Sequence, residues 1–442
     1  MKRVAFHTLG CKLNYAETAS LERQFLERGY DIVPFSEEAD ICVVNTCSVT
    51  ARADRECRQL VRQAVRRSPD SFVIVLGCYA QLQPEEIASI DGVDLVLGAR
   101  EKFRVFDHAR GFAKADVPRI EVSPITEAIE FGPASSAGGG ERTRAFLKVQ
   151  DGCDFNCSFC TIPLARGKSR SLSFDECVRE AQHLVTQGYR EIVLTGVNVG
   201  DYGRKGGSSL VELLRGIESV EGLERIRISS IEPNLLDEEL LEHWLASEKI
   251  CDHFHIPLQS GNDEVLRLMR RRYDLADYRN LVETIRRASP AAAIGVDVIA
   301  GFPGETESNF ISSLRFIEEL PVSYLHVFTY SERPNTPSLG FGDRVEPRVR
   351  FSRSEFLRTV GEQKRQAFHL SQIHTSRPAL IEETVDGNML SGYTDNYIRV
   401  FLPYHASLVN TIVRVRLDER VEEGCLASPD RGFAGNTASV AA

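Results

Sequence analysis

No stretch of this 442-residue chain is apolar for the length of a membrane span, so no bilayer-crossing helix is expected. Positive charge is also in short supply. The 53 Lys and Arg against 63 Asp and Glu leave −10 at neutral pH, which excludes broad, sequence-blind attraction to nucleic acid but permits a local basic patch. The first residues, Met1 to His7, pass directly into strand-like alternation and lack the apolar core and cleavage site of a signal peptide, so a cytoplasmic location and no membrane association are expected. In that reducing compartment structural disulfides are disfavoured, and the 11 cysteines read as metal ligands, catalytic thiols or buried apolar residues.

Three of those cysteines, Cys153, Cys157 and Cys160, stand in a C-x3-C-x2-C run just past an apolar strand. Zinc sites pair two C-x2-C units or add histidines at close spacing, and neither follows here. Three thiolates instead suit three irons of a 4Fe-4S cube and leave the fourth free to hold a substrate or cofactor, whereas a closed electron-transfer cluster takes four cysteines.

The chain divides by pattern. Apolar runs at 3–9, 41–44 and 72–76, each followed by a helix-like segment, predict a parallel α/β sheet for residues 1–117. They end in Cys11, Cys47 and Cys78, all at the carboxyl edge where open parallel sheets build their sites, so the three can converge on a second cluster or else remain core residues. Cys42, Cys57, Cys177, Cys251 and Cys425 read as small buried hydrophobes. Residues 118–140, with Pro118, Pro124, Pro133 and a Ser-Gly run, have linker composition. Over 141–370, six apolar runs near 145–149, 191–195, 225–229, 253–258, 294–300 and 324–330 alternate with helical patterns and predict a partial (β/α)6 barrel. Short, closely spaced strand patterns from 379 onward, five or so in about 60 residues and with a turn at Asp386-Gly387-Asn388, predict a small β-barrel over 371–435, and the last 20 residues read as a loose tail.

The phrases His7-Thr-Leu-Gly-Cys-Lys-Leu-Asn14, Asn45-Thr-Cys-Ser-Val-Thr50 and Gly77-Cys-Tyr-Ala-Gln81 resemble the amino-terminal domain of the methylthiotransferases, a family of radical S-adenosylmethionine (SAM) enzymes. The central cysteine run, the Gly301–Glu305 element and a terminal barrel similar to the TRAM domain extend the resemblance over nearly the whole chain. It implies two 4Fe-4S clusters, the radical-generating one on Cys153, Cys157 and Cys160 and the auxiliary, sulfur-delivering one on Cys11, Cys47 and Cys78. It also implies SAM as cofactor and an external reductant of flavodoxin or ferredoxin type. Phe159, Gly196, Asn198, Ser229, Glu232, Gln259 and Gly301 are the candidate SAM contacts.

Lys12 and Leu13 stand where the isopentenyladenosine branch of the family reads Gln-Met and the branch acting on a ribosomal protein aspartate reads Pro-Lys. The wording is similar to the MtaB type, which implies a tRNA substrate carrying threonylcarbamoyladenosine 3' of the anticodon. The same chemistry on another adenosine or on a protein remains open at this point, as does a noncatalytic iron-sulfur RNA-binding protein. Candidate RNA contacts are the helix face with Arg52, Arg55, Arg62 and Arg66, the run Arg270-Arg271-Arg272, and Tyr393, Tyr397, Phe401, Arg399, Arg414 and Arg416 of the terminal barrel.

Overall fold

The computed structural model describes residues 1–430 apart from 49, 115, 129, 133, 134, 136–142 and 387. Much of the expected linker, the glycine of the expected 386–388 turn and the end of the expected tail lie outside the described residues.

The amino-terminal sheet has six parallel strands in the order Asp31–Val33, Arg3–Thr8, Ile41–Thr46, Phe72–Gly77, Leu95–Leu97, Arg119–Glu121. Its central strands read as unbroken apolar runs because both faces are covered. Cys42, Val44, Val73 and Val75 pack on one side with Cys57 and Val61, whereas Ile41, Val43, Ile74 and Leu76 pack on the other with Leu21 and Phe25. Three of the six strands are too short to register as apolar runs. One of them, Arg119–Glu121, lies in the segment with linker composition and pairs with Leu95–Leu97.

The central domain contains six parallel strands in chain order: Arg144–Lys148, Glu191–Thr195, Arg225–Ile228, His253–His255, Ala293–Ala300 and Tyr324–Thr329. They form two three-stranded sheets joined by the isolated bridge Ile226–Ile250, so the partial (β/α)6 barrel expected from the pattern is present with a seam at its middle. Local signals set its helices: Ser209 and Glu212 form a capping box at Leu210–Glu218, and Asp274 and Asp277 another at Leu275–Ala288. The 26-residue helix Pro347–Gln372, absent from the sequence reading, covers the last barrel strand.

The closing domain is a closed five-stranded barrel of Ser376–Asp386, Met389–Thr394, Arg399–Pro403, Gly424–Pro429 and Ile412–Val421, in that spatial order. Its fifth strand, Gly424–Pro429, corrects the expectation of a loose tail from residue 423: Cys425 and Ala427 are buried in the barrel core, so the alternation continues that far. Among the described residues, no helix is long and apolar enough to cross a membrane.

Candidate active site

Strand register brings the amino-terminal cysteines to one edge. Thr8 lies opposite Asn45 and Thr46 opposite Gly77, so the three strands end level and Cys11, Cys47 and Cys78 follow on adjacent loops. Gly10, at φ +101°, presses against Cys47 so closely that a Cβ there would stand 2.6 Å from Cys47 Cβ and 2.9 Å from its Sγ. The loops are held by side chains: Asn14 Nδ2 donates to Leu9 O (2.7 Å) and Thr46 O (3.1 Å), and the Tyr79 amide donates to Thr46 Oγ1 (3.2 Å). Cys11 is exposed, whereas Cys47 and Cys78 are buried. Burial pushes the Cys78 thiol up, and the cations Arg166 and Lys102 oppose that shift.

The central cysteines sit on a loop tightened by Gly152, whose φ is +70° and whose Cβ would fall 2.1 Å from Lys168 O. Each thiol receives one donor. The Phe155 amide donates to Cys153 Sγ (3.4 Å), the Ile162 amide to Cys160 Sγ (3.4 Å), and Arg271 Nη1 to Cys157 Sγ (3.1 Å). Burial pushes Cys153 and Cys160 up to about 12 and also raises Cys157. Thiols held that high are inert as nucleophiles at neutral pH, while a metal would ionise them outright, and hydrogen bonds to sulfur are the kind that tune a cluster's potential.

Two adjoining cavities connect these loops. The larger, about 650 Å³, is lined by Gly10, Cys11 and Lys12 on one side and by barrel residues including Gly196, Arg227, Ser229 and His255 on the other. The smaller, about 210 Å³, is lined by Phe159, Cys160, Gln259 and Tyr330. Ile162 and Asp297 line both. The amino-terminal domain closes the barrel mouth through Arg333, which pairs with Asp54 (2.7 Å) and donates to Ser48 Oγ (2.7 Å) beside Cys47.

The structure distributes the candidate SAM contacts unevenly. Phe159 and Gln259 share the smaller cavity, and Gln259 reaches it with a left-handed backbone (φ 68°). Gly196 and Ser229 line the larger one. The amide nitrogen and oxygen of Asn198 and the Ser229 hydroxyl are buried without a partner among the described residues, as polar groups awaiting a ligand are. Glu232 is engaged by Arg271, which also holds Cys157, so its place is beside the thiols. Gly301 lines neither cavity; it packs under Arg350 with its amide donating to Glu305 Oε1 (2.9 Å), next to Phe302, whose ring meets that of Phe159 at 6.3 Å.

Other expectations are redirected. The Arg271 side chain is buried and committed to Cys157 and Glu232, which leaves Arg270 and Arg272 as the exposed members of the run 270–272. Arg272 lies over the Phe155 ring at 4.0 Å. Tyr393 and Tyr397 stack on each other at 5.1 Å and face inward, under Arg144 and Arg227 respectively, and Tyr397 lines the larger cavity. Arg52, Arg55, Arg62 and Arg66 do remain exposed on Ala51–Arg67.

Three groups of residues escaped the sequence reading. Glu17 is fully buried and pairs with Lys102 (2.6 Å), Lys148 (3.1 Å) and Arg166 (3.0 Å), and the last two also reach Asp151. These cations hold the Glu17 and Asp151 carboxyls below the usual range despite burial. Arg225 and Arg227, paired with buried Glu191, donate to the carbonyls of Tyr393, Thr394 and Asp395 and so dock the closing barrel onto the central one. Third, His255, Asp297 and His326 meet on the inner wall, with His255 Nε2 to Asp297 Oδ1 at 2.8 Å. The missed signal is a polar residue at every second strand position: Arg225 and Arg227, His253 and His255, Tyr324 and His326.

Comparison with known proteins accords with this architecture. Residues 147–317 match the radical SAM superfamily, and residues 3–98 match a family described as uncharacterized protein family UPF0004. The chain is 40% identical over 424 residues to the threonylcarbamoyladenosine tRNA methylthiotransferase MtaB of Bacillus subtilis, covering 94% of each chain. It is 38% identical to the MtaB of Aquifex aeolicus, over 90% of this chain and 96% of that one. A tRNA-2-methylthio-N(6)-dimethylallyladenosine synthase of Geobacter metallireducens is 33% identical, over 94% of this chain and 96% of the relative. Among solved structures, the radical SAM methyltransferase TsrM of Kitasatospora setae shares the fold, with a TM-score of 0.55 at 16% identity over 76% of this chain and 77% of that one. Membership of the superfamily brings with it an iron-sulfur cluster and SAM. The chain belongs to the radical SAM methylthiotransferase family, within its MtaB branch.

Proposed function

We propose that this protein methylthiolates C2 of N6-threonylcarbamoyladenosine in tRNA, using two 4Fe-4S clusters. The observation that carries this reading is the opening of both cysteine loops onto adjoining cavities that share Ile162 and Asp297. Two metal centres with free corners on one crevice suit a reaction that must activate a C–H bond and then meet the carbon with sulfur. When bound, SAM and its cluster supply the radical chemistry, and the auxiliary cluster supplies the sulfur.

The chain's own residues prepare that site. Cys153, Cys157 and Cys160 hold the SAM-side cluster, with Arg271 fixing Cys157. Cys11, Cys47 and Cys78 hold the other, with Arg166 and Lys102 providing positive charge beside it. The unsatisfied Asn198 and Ser229 groups, with Phe159 and Gln259, suit the polar and adenine ends of SAM. The exposed arginines of Ala51–Arg67 offer a phosphate-binding face for the tRNA, and a flavodoxin- or ferredoxin-type donor supplies electrons.

Mass spectrometry of tRNA nucleosides from a strain lacking the gene is the test. Disappearance of 2-methylthio-N6-threonylcarbamoyladenosine and its return on complementation are expected; persistence of that nucleoside rejects the assignment.

A further inference from the structure

The larger cavity contains an unbalanced charge. Its lining includes Lys12, Arg144, Arg166 and Arg227 and one carboxylate, Asp297, which is taken by His255 (2.8 Å). Three of the four cations have acidic partners elsewhere: Arg144 pairs with Glu382 (2.9 Å), Arg227 with Glu191 (2.9 Å), and Arg166 with Glu17 (3.0 Å) and Asp151 (3.1 Å). Lys12 has no carboxylate within ion-pair distance among the described residues. It stands half-buried at the first turn of Lys12–Glu27 and lines the same cavity as Arg144, Arg227 and Tyr397. A lysine brought close to two arginines is an unfavourable arrangement for the empty cavity, and a guest carrying negative charge relieves it.

The inference rests on the substrate reading above and refines it. Threonylcarbamoyladenosine differs from an adenosine with a hydrocarbon N6 substituent in carrying a free carboxylate at the far end of that substituent. We propose that Lys12 binds this carboxylate, with Arg144 and Arg227 providing the surrounding positive field, so that the cavity selects the acidic N6 group. A tRNA backbone phosphate is the competing source of negative charge. The site's position disfavours it, because Lys12 lies between the auxiliary-cluster loop and the inner barrel wall, level with Cys11, where the reacting base must enter.

The test uses one tRNA in two forms, with the threonyl carboxylate free or as its methyl ester, and follows methylthiolation by nucleoside mass spectrometry. The reconstituted wild-type enzyme is expected to prefer the acid by about 10- to 100-fold in kcat/KM, the range that one charge-assisted hydrogen bond supplies. Lys12→Met brings the acid-to-ester ratio close to one, and Lys12→Arg restores a preference for the acid. Equal use of acid and ester by the wild type overturns the proposal without recourse to any variant. A Lys12→Met enzyme slowed equally on both forms also overturns it, and points to a phosphate contact. Wild-type enzyme that modifies neither tRNA overturns the underlying substrate reading instead.

Discussion

Arg166 Nη2 donates to Asn14 Oδ1 at 2.6 Å, joining the short helix Ile162–Arg166 after the central cysteines to the helix Lys12–Glu27, which Cys11 precedes. The same guanidinium pairs with Glu17 and Asp151, one from each domain. Arg166→Met leaves two buried carboxylates short of a partner and is expected to cost about 3–5 kcal/mol in chemical denaturation. Arg166→Lys recovers little of that loss, because an ammonium cannot reproduce the fork that spans Glu17, Asp151 and Asn14.

Gly10→Ala tests the packing of the auxiliary loops. At φ +101° with Cys47 Cβ only 2.6 Å from the added methyl, the loop must shift, and Cys11 shifts with it. The reconstituted variant is expected to lose roughly half its iron, as one of two similar clusters fails to load, while still cleaving SAM. Full iron content would show that Gly10 does not set the ligand geometry.

Separating the two triads gives a complementary outcome. Cys47→Ala and Cys157→Ala are each expected to retain about half of the wild-type iron and sulfide. Only Cys47→Ala should still release 5'-deoxyadenosine from SAM on anaerobic reduction, and neither should modify tRNA. Similar iron in Cys47→Ala and wild type would reject the second cluster.

Acid sensitivity has an identifiable source in the closing part of the chain. Burial holds the His369 imidazole down to about 4, with Arg365 and Arg420 adding to the effect. Between pH 6.5 and about 4 the unfolded chain binds a proton there that the folded chain does not, so stability falls as pH falls through that window. The contribution reaches up to about 3 kcal/mol at the acid end. His369→Gln is expected to flatten that part of the stability profile, measured as denaturation midpoints at a series of pH values.

The sequence revealed the parts of the site carried by short, rigid signals. Cysteine spacing and the ends of apolar strands pointed to both groups of three cysteines, and the strand register sets the residues before Cys11, Cys47 and Cys78 level at one sheet edge. The strands Asp31–Val33, Leu95–Leu97 and Gly424–Pro429 were missed because they are too short, or too polar in alternate positions, to show as apolar runs. The inner barrel wall was obscured for a related reason. His255, Asp297 and His326 look like interruptions in apolar strands, and only closure of the sheet shows that they face one another. Glu17 lies far along the chain from Asp151 and Arg166, and no local pattern links three charges whose burial depends on domain docking.

Tyr397 stacks on His253 at 4.6 Å, and the turn that precedes it is gripped by Arg227, so the terminal barrel supplies part of the wall of the reaction chamber. That module is consequently part of the chamber and no interchangeable appendage. A chimera carrying the corresponding module from another branch would inherit a different chamber surface, and a change in the nucleoside it accepts is the expected result.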